Sequence, residues 1–326
     1  MIKRHHSPKP TENTSAAAAS AKADQEDTRM DVSATPVEFR AGEDVMRGSF
    51  HLPSTSGPLP AVALGHGWGM VAGGDLEDYA RTIAAKGIAC LTFDYRRLGK
   101  SSGLPRQEID PAWQQEDYRT AITYLCSRPE VDMQRIGIWG TSYSGGHVLV
   151  VGATDRRVKC VVSQVPTISG YLSGLRKVHP RHAETLHRFF SDDRLARLNG
   201  QPPGTMREVG QDKGPDVAYP GAESYDYMIG EAERCPEWRN EVTIRSLELA
   251  RSYEPGQWVS RIGPAALLMI VADNDLQTPT DLQLDAYTQA REPKELLLLK
   301  GGHYSAYQQH FETTSSAAAR WFSTHL

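Results

Sequence analysis

Ser142 has the surroundings that best suit a nucleophile. It lies in the segment 139–146 (Trp-Gly-Thr-Ser-Tyr-Ser-Gly-Gly), between an apolar run that predicts a strand, 135–139, and a helical pattern that begins near Ser144. A serine in such a tight turn is held in a strained backbone conformation, and the positions two before and two after it must be small. Gly140 and Ser144 meet this requirement, although Ser144 stands where glycine is usual. We therefore predict Ser142 as the nucleophile of a covalent mechanism.

A second segment, 99–103 (Gly-Lys-Ser-Ser-Gly), matches the pattern G-x-S-x-G to the letter. Its setting argues against catalysis, because residues 95–99 separate it from the preceding predicted strand and Leu104 and Pro105 follow where a helix would have to begin. Short glycine and serine patterns also arise by chance in a chain of 326 residues. The sequence predicts a loop here.

A serine hydroxyl becomes a good nucleophile only when a neighbouring imidazole accepts its proton. Among 11 histidines, His303 is the best placed, because it follows the last predicted strand, 295–299, and precedes the final predicted helix. The carboxylate that would orient this imidazole is expected in the loop after the preceding strand. Asp275 fits that position, and we favour it over Asp273, which as the earlier residue is better suited to a local turn bond.

Negative charge on the attacked carbonyl oxygen must meet preorganised donors, usually two backbone N–H groups. We predict the N–H of Tyr143, directly after the nucleophile, and that of Trp68, in the glycine-rich turn 66–69 (His-Gly-Trp-Gly) that follows a predicted strand. Nucleophile, base, acid and oxyanion hole thus fall at independently expected places. Their agreement indicates a working serine site more strongly than any single motif does.

Strands and helices alternate around these motifs. A hairpin is predicted over 37–52. Continuous apolar runs predict buried strands, with helices between them, at 61–65, 88–93, 135–139, 158–165, 265–271 and 295–299. Short strand, helix, strand units form right-handed parallel crossovers. The predicted fold class is therefore α/β, with a mostly parallel central sheet flanked by helices.

The alternation stops between residues 167 and 260, where helical patterns surround a Pro- and Gly-rich stretch. We interpret 167–260 as a helical cap inserted into a core whose two parts are 37–166 and 261–326. Residues 1–36 are rich in Ala, Ser, Thr, Lys and Asp and carry too little apolar surface to offset the entropy of ordering. They are predicted to form a disordered tail.

The amino-acid composition limits the classes of molecule that the protein is expected to bind. The 36 Lys and Arg residues against 40 Asp and Glu give a net charge of −4, too weak a field to predict binding of nucleic acid or an anionic membrane. No apolar run is long enough to span a bilayer. The chain has four cysteines, and none of them forms a C-x-x-C pair: Cys90, Cys126, Cys160 and Cys235. This pattern predicts reduced thiols and therefore a cytoplasmic protein.

Neither a metal nor a cofactor is predicted. His179, His182 and His187 match no zinc-binding spacing, and a serine nucleophile with a histidine base needs no cofactor. The expected partner is a small-molecule ester or thioester. Loop arginines could orient an anionic substrate, although such residues are more often solvated or salt-bridged: Arg96, Arg97 and Arg207. Aromatic residues of the cap could line an acyl pocket or form the cap's own core: Tyr171, Phe189, Phe190, Tyr225 and Tyr227.

From about Val37 to Leu326 the chain is similar to the α/β-hydrolase superfamily. The similarity rests on 66–69, 94–96 (Asp-Tyr-Arg), 140–146, Asp275, 302–303 and the chain order Ser142, Asp275, His303. Within the superfamily, the segments 139–150 and 158–166 resemble dienelactone-hydrolase-like enzymes and, more narrowly, the polyketide transferases of fungal secondary-metabolite clusters. This resemblance implies the triad Ser142, Asp275, His303 and acyl, ester or thioester chemistry on a bulky product. Dienelactone hydrolases proper use a cysteine nucleophile, whereas residue 142 is a serine. The resemblance therefore does not imply that this protein acts on their substrate.

Three functions stay open at this point. The favoured one is a serine esterase or thioesterase, in which water attacks the acyl-enzyme. In the second, an alcohol or amine intercepts a polyketide-type acyl group, which makes the protein an acyltransferase of secondary metabolism. How well the cap excludes water separates these two. The third is a ligand-binding protein without catalysis, which covalent labelling of the serine would exclude.

Overall fold

The computed structural model describes residues 30–212, 214 and 216–326. In chain order its strands are β1 (Val32–Ala41), β2 (Asp44–Pro53), β3 (Leu59–Gly65), β4 (Ala89–Phe93), β5 (Val131–Thr141), β6 (Val158–Gln164), β7 (Thr205–Gly210), β8 (Val217–Pro220), β9 (Val242–Thr243), β10 (Ala266–Ala272) and β11 (Lys294–Leu299). Its α-helices are α1 (Gly74–Ala84), α2 (Pro111–Cys126), α3 (Tyr143–Thr154), α4 (Gly170–Lys177), α5 (Ala183–Leu198), α6 (Ala222–Ala232), α7 (Ile244–Ala250), α8 (Thr280–Thr288) and α9 (Phe311–His325).

Eight strands form one central sheet in the order β1, β2, β4, β3, β5, β6, β10, β11. The leading hairpin is antiparallel, and β2 pairs antiparallel with β4. From β4 to β11 all neighbours are parallel. Parallel strands end at the same edge of a sheet. The loops after β3, β5, β10 and β11 therefore converge there, and they carry the residues predicted to do the chemistry.

Helices cover both faces of the sheet. The cluster on one face includes residues of α2, α3 and α8, and that on the other includes residues of α1 and α9. In β3, Ala61 and Ala63 belong to the first cluster, whereas Val62 and Leu64 belong to the second. Because both faces are buried, such strands are apolar at every position. This explains the continuous apolar runs of the sequence and confirms the predicted fold class.

Several predicted boundaries are displaced. Residues 1–29 of the predicted tail lie outside the described residues. Its boundary at residue 36 is wrong, because β1 begins at Val32 and pairs with Pro53 of β2. The last helix begins at Phe311 rather than near Tyr307, because a 3₁₀ turn over His303–Ala306 follows the last strand.

The segment between β6 and β10 contains more than the predicted helices. Besides α4 to α7 it holds a three-stranded sheet in the order β8, β7, β9. These strands were missed because they are short, with two residues in β9 and four in β8, and because β7 and β8 lie in the stretch that Pro and Gly mark as irregular. In the part of the chain that the structure describes, no helix is long and apolar enough to cross a membrane.

Replacing Gly140 with valine should destabilise the fold. A β-carbon at Gly140 would lie 2.2 Å from the backbone oxygen of Ser144, and backbone atoms cannot yield as a flexible side chain can. We expect Gly140→Val to lose about 1–3 kcal/mol of unfolding free energy or more, measured by urea denaturation.

Gly230→Ala is the matched control, because Gly230 is exposed on α6 with no atom within 4 Å of the added carbon. A helical Gly→Ala change should stabilise by about 0.5–1 kcal/mol. Wild-type stability in Gly140→Val would contradict the tight packing of the turn.

Candidate active site

Ser142 occupies the turn that joins β5 to α3. Its backbone angles are φ 56° and ψ −114°, in the left-handed region that residues with a side chain rarely adopt. Two backbone hydrogen bonds hold the turn: the Ser142 N–H donates to the Gln164 carbonyl at 2.8 Å, and the Thr167 N–H donates to the Ser142 carbonyl at 2.8 Å. The neighbouring strand β6 and the loop after it thus fix the strained conformation. Ser142 is partly exposed and lines a large cavity.

His303 connects Ser142 to Asp275. The Ser142 hydroxyl lies 3.0 Å from His303 Nε2, and His303 Nδ1 lies 2.7 Å from Asp275 Oδ2. A carboxylate accepts, so the proton of the neutral ring is on Nδ1 and Nε2 is free to accept from the serine. His303 and Asp275 are both buried. The structure therefore brings the three predicted side chains into one hydrogen-bonded row.

Local hydrogen bonds fix the Asp275 carboxylate. Its Oδ1 accepts from the backbone N–H groups of Gln277 and Thr278, each at 2.8 Å. Burial raises the pKa of Asp275, but the His303 imidazole and the Thr278 donors outweigh it and bring the pKa below its usual value. The carboxylate is thus charged at neutral pH.

Asp273, the alternative candidate for the acid, has hydrogen-bond partners other than His303. Asp273 pairs with the exposed Lys300 at 2.7 Å and accepts the Gly301 N–H at 3.0 Å. It makes the kind of local loop bonds that the sequence analysis expected of it.

The loop after β3 lies against Ser142. A β-carbon on Gly67 would lie 3.1 Å from Ser142 Cβ and 3.6 Å from Ser142 Oγ. The rings of Trp68 and Tyr143 meet edge to face with centroids 4.8 Å apart. Among the described residues, the backbone N–H groups of Trp68 and Tyr143 find no hydrogen-bond acceptor. Both are therefore available to a ligand beside Ser142.

Ser144 does more than provide a small side chain. Its hydroxyl donates to the carbonyl of His66 and accepts from the Tyr95 hydroxyl at 2.5 Å. A glycine, usual at this position, could make neither bond. Ser144 thus ties the nucleophile turn to the loop that carries Trp68. In the sequence, the serine in place of the usual glycine at position 144 was a sign of this role. The sequence did not reveal its two hydrogen-bond partners, which are distant along the chain.

A cavity of about 820 Å³ opens beside Ser142 and His303. This volume suits a drug-sized ligand. Its wall in the segment between β6 and β10 is largely apolar and includes Leu186, Phe189, Met206, Val217, Met228 and Leu247. Of the aromatic candidates, Phe189 and Tyr227 line the cavity, whereas Tyr171 is exposed on the surface.

The three arginines considered in the sequence analysis are salt-bridged, which is the alternative that it named as the more common one. Arg96 Nε lies 2.5 Å from Asp117 Oδ1, and Arg97 pairs with Glu108. Arg207 pairs with two carboxylates, at 3.3 Å and 3.0 Å. None of these arginines lines the cavity. Two cations that do line it, Lys177 and Arg251, were not singled out in the sequence.

Two other buried histidines stay neutral. Burial lowers the pKa of His66 to about 4, although its bond to the Gly67 carbonyl opposes the shift. Burial, with the nearby His66, lowers the pKa of His147 to about 3. His147 lies 2.8 Å from Gln114 Oε1 and 2.7 Å from the Tyr253 hydroxyl. Neither ring contacts Ser142 in the described structure, which leaves His303 as the adjacent base.

The sheet order, the strained serine turn and the serine, histidine and aspartate row define an α/β-hydrolase-fold enzyme. The chain belongs to the family described as "Esterase FrsA-like", whose profile matches residues 9–183. It is 31% identical to the quorum-quenching protein AidA of Acinetobacter baumannii, over 83% of this chain and 88% of that one. It is 30% identical to a thiohydrolase of Eupenicillium brefeldianum, over 82% and 86%, and to the polyketide transferase grgF of Penicillium sp, over 82% and 88%. The crystal structure of the α/β hydrolase GrgF from Penicillium sp. sh18 superposes with a TM-score of 0.77 at 27% identity, covering 90% of this chain and 99% of that one.

The buried neutral His147 predicts a pH-dependent stability difference. In the unfolded chain a histidine binds a proton near pH 6.5, whereas folded His147 has a pKa of about 3. Below pH 6.5 the unfolded state therefore binds a proton that the native state excludes, so this residue's contribution to stability is lost as pH falls. We expect the stability advantage of wild type over His147→Gln to shrink by about 1 kcal/mol between pH 6 and 5.

Urea denaturation of both proteins at the two pH values measures this difference. Taking the difference cancels the titration of carboxylates that both proteins share. An advantage that does not change with pH would show that His147 is charged in the fold.

Proposed function

We propose that the protein hydrolyses a carboxylic ester or thioester through an acyl-enzyme on Ser142. The observation that carries this proposal is the continuous hydrogen-bonded row from Ser142 Oγ through His303 to Asp275, at 3.0 Å and 2.7 Å. His303 is the base, and Asp275 holds its tautomer and stabilises the imidazolium that forms. Membership in an esterase family supports the same chemistry.

The reaction proceeds in two halves. Ser142 Oγ attacks the carbonyl carbon while its proton passes to His303 Nε2, and the carbonyl oxygen becomes an oxyanion. The free N–H groups of Trp68 and Tyr143 stabilise that oxyanion. His303 then gives its proton to the departing alcohol or thiol as the bond to the acyl carbon breaks. In the second half, water attacks the acyl carbon and gives a proton to His303 Nε2. The bond from the acyl carbon to Ser142 Oγ then breaks, His303 returns the proton to Oγ, and the free acid leaves.

The size and lining of the cavity support a bulky acyl group as part of the substrate. A largely apolar space of about 820 Å³ suits a bulky acyl group. The segment 167–260 supplies much of its wall, and we assign it the role of a cap that shields the acyl-enzyme from solvent. A relative named thiohydrolase favours a thioester as the bond that is cleaved.

Acyl transfer is the second candidate, because another relative of equal identity is named a polyketide transferase. It would use the same residues, with an alcohol or amine in place of the water. Turnover of a thioester with and without added alcohol separates the two. Free acid as the main product supports hydrolysis, and an ester of the added alcohol that increases with its concentration at the expense of free acid supports transfer.

Asp275→Asn should lower kcat for p-nitrophenyl esters by about 10⁴-fold, because the amide cannot hold His303 in the tautomer that accepts from serine. Steady-state kinetics measures the fall, and circular dichroism verifies that the variant folds.

Asp273→Asn is the matched control, since it removes a carboxylate from the same loop that bonds Lys300 instead of His303. We expect its kcat to stay within a few-fold of wild type. If Asp273→Asn has the larger effect, the assignment of Asp275 as the acid of the triad is wrong.

A further inference from the structure

Helix α4 presents one face to the cavity. Gly170, Ser173, Gly174 and Lys177 all line it, and positions i, i+3, i+4 and i+7 lie on one side of a helix. The adjacent Arg176 turns away and pairs with the exposed Asp281 at 2.6 Å and 2.7 Å. Lys177 therefore faces the cavity, although it is also exposed to solvent, and Arg176 faces away from it.

A second cation, Arg251, lies against the same helix face. A β-carbon at Gly174 would lie 2.8 Å from Arg251 Nη1, so the absence of a side chain at Gly174 makes room for the guanidinium. Lys177 Nζ lies 4.5 Å from the ring centroid of Tyr219, which also lines the cavity. Within the described part of the chain, neither cation forms an ion pair with a carboxylate. Two positive groups thus share one region of the cavity wall, and neither has a direct ion-pair partner among the described residues.

Each carboxylate near the cavity has hydrogen-bond partners other than Lys177 and Arg251. Asp275 is bonded to His303. Asp75 is bonded to Tyr227, and burial, together with Glu231, raises the pKa of Asp75 to about 7, so that a large part is uncharged at neutral pH. Glu254 accepts from the Ser169 hydroxyl and the Tyr171 N–H.

The electrostatics of Lys177 reflect this setting. Lys177 is exposed to solvent at the cavity wall, and both the Asp275 carboxylate and the Arg251 guanidinium act on it electrostatically. The ammonium is still mostly protonated at pH 7. Ser173, one turn earlier on the same face, has a buried hydroxyl with no hydrogen-bond partner among the described residues. Two cations without an ion-pair partner and the unpaired Ser173 hydroxyl, on one wall of the cavity, can each donate a hydrogen bond to a bound anion.

We propose that Lys177 and Arg251, with the Ser173 hydroxyl, form a subsite for an anionic group, a carboxylate or phosphate, carried by the substrate that Ser142 attacks. This inference rests on the proposed function, because it takes the substrate to be an ester or thioester bound beside Ser142. The anion has two possible sources: the far end of the acyl chain, or the leaving group. The two cations would recognise the anion in the same way in both cases, and the experiment distinguishes the two sources.

The experiment compares charged and neutral members of matched substrate pairs. For the acyl chain, the pair is a mono-p-nitrophenyl ester of an α,ω-dicarboxylic acid and the same ester with its free carboxylate methylated, over a series of chain lengths. For the leaving group, it is an acyl thioester of 4′-phosphopantetheine and one of pantetheine. Wild type, Lys177→Met, Lys177→Arg and Arg251→Met are compared, with Arg176→Met as the control from the same helix.

We expect wild type to prefer the charged member of one pair, and the pair that shows the preference identifies the source of the anion. Lys177→Met and Arg251→Met should each lower kcat/KM about 10- to 100-fold more for that charged member than for its neutral partner. Lys177→Arg should retain much of the preference, and Arg176→Met should retain all of it.

The failures are distinguishable. Turnover of the neutral substrates by wild type with no preference in either pair overturns the subsite and leaves the proposed function standing. A preference that survives both Lys177→Met and Arg251→Met overturns the assignment to these residues. If wild type turns over neither member of any pair, the proposed function itself fails.

Discussion

The strained turn at Ser142 is the constraint on which the rest of the site depends. A φ of 56° at a residue with a side chain is unfavourable, and here it is held by backbone bonds to Gln164 and Thr167. Gly140 is needed because any larger residue would strike the first turn of α3. The turn projects the hydroxyl to the edge of the sheet, where an imidazole can reach it. The hydrogen bonds and packing of the neighbouring parallel strands thus compensate for the conformational strain at Ser142.

The order of strands explains how residues distant in sequence meet. Strand β5, which leads to Ser142, lies between β3 and β6. The loop after β3 supplies Trp68. Next come β10, which leads to Asp275, and β11, which leads to His303. All five strands are parallel, so their loops gather at one edge. Ser144 adds a direct link between two of those loops through the His66 carbonyl and the Tyr95 hydroxyl.

The central sheet could be predicted because strands buried on both faces, such as β3 and β10, leave unbroken apolar runs. The same reasoning placed Ser142, Asp275 and His303 at strand ends, and the structure brings these side chains together; their catalytic roles stay a prediction. The small sheet of β7, β8 and β9 could not be found, because strands of two to six residues carry no periodic signal and because β7 and β8 lie among Pro and Gly residues. Lys177 and Arg251 were missed for another reason: their proximity depends on how α4 packs, and a lone lysine on a short helix gives no sign of that.

Activation of Ser142 as a nucleophile can be measured by intact-mass spectrometry after reaction with a fluorophosphonate. Wild type should gain the mass of one phosphonyl adduct, whereas Ser142→Ala and urea-unfolded wild type should gain none, because only the assembled row of Ser142, His303 and Asp275 activates the hydroxyl. Labelling of Ser142→Ala to the wild-type extent, or a folded wild type that reacts with none of the probe, would show that Ser142 is not an activated nucleophile.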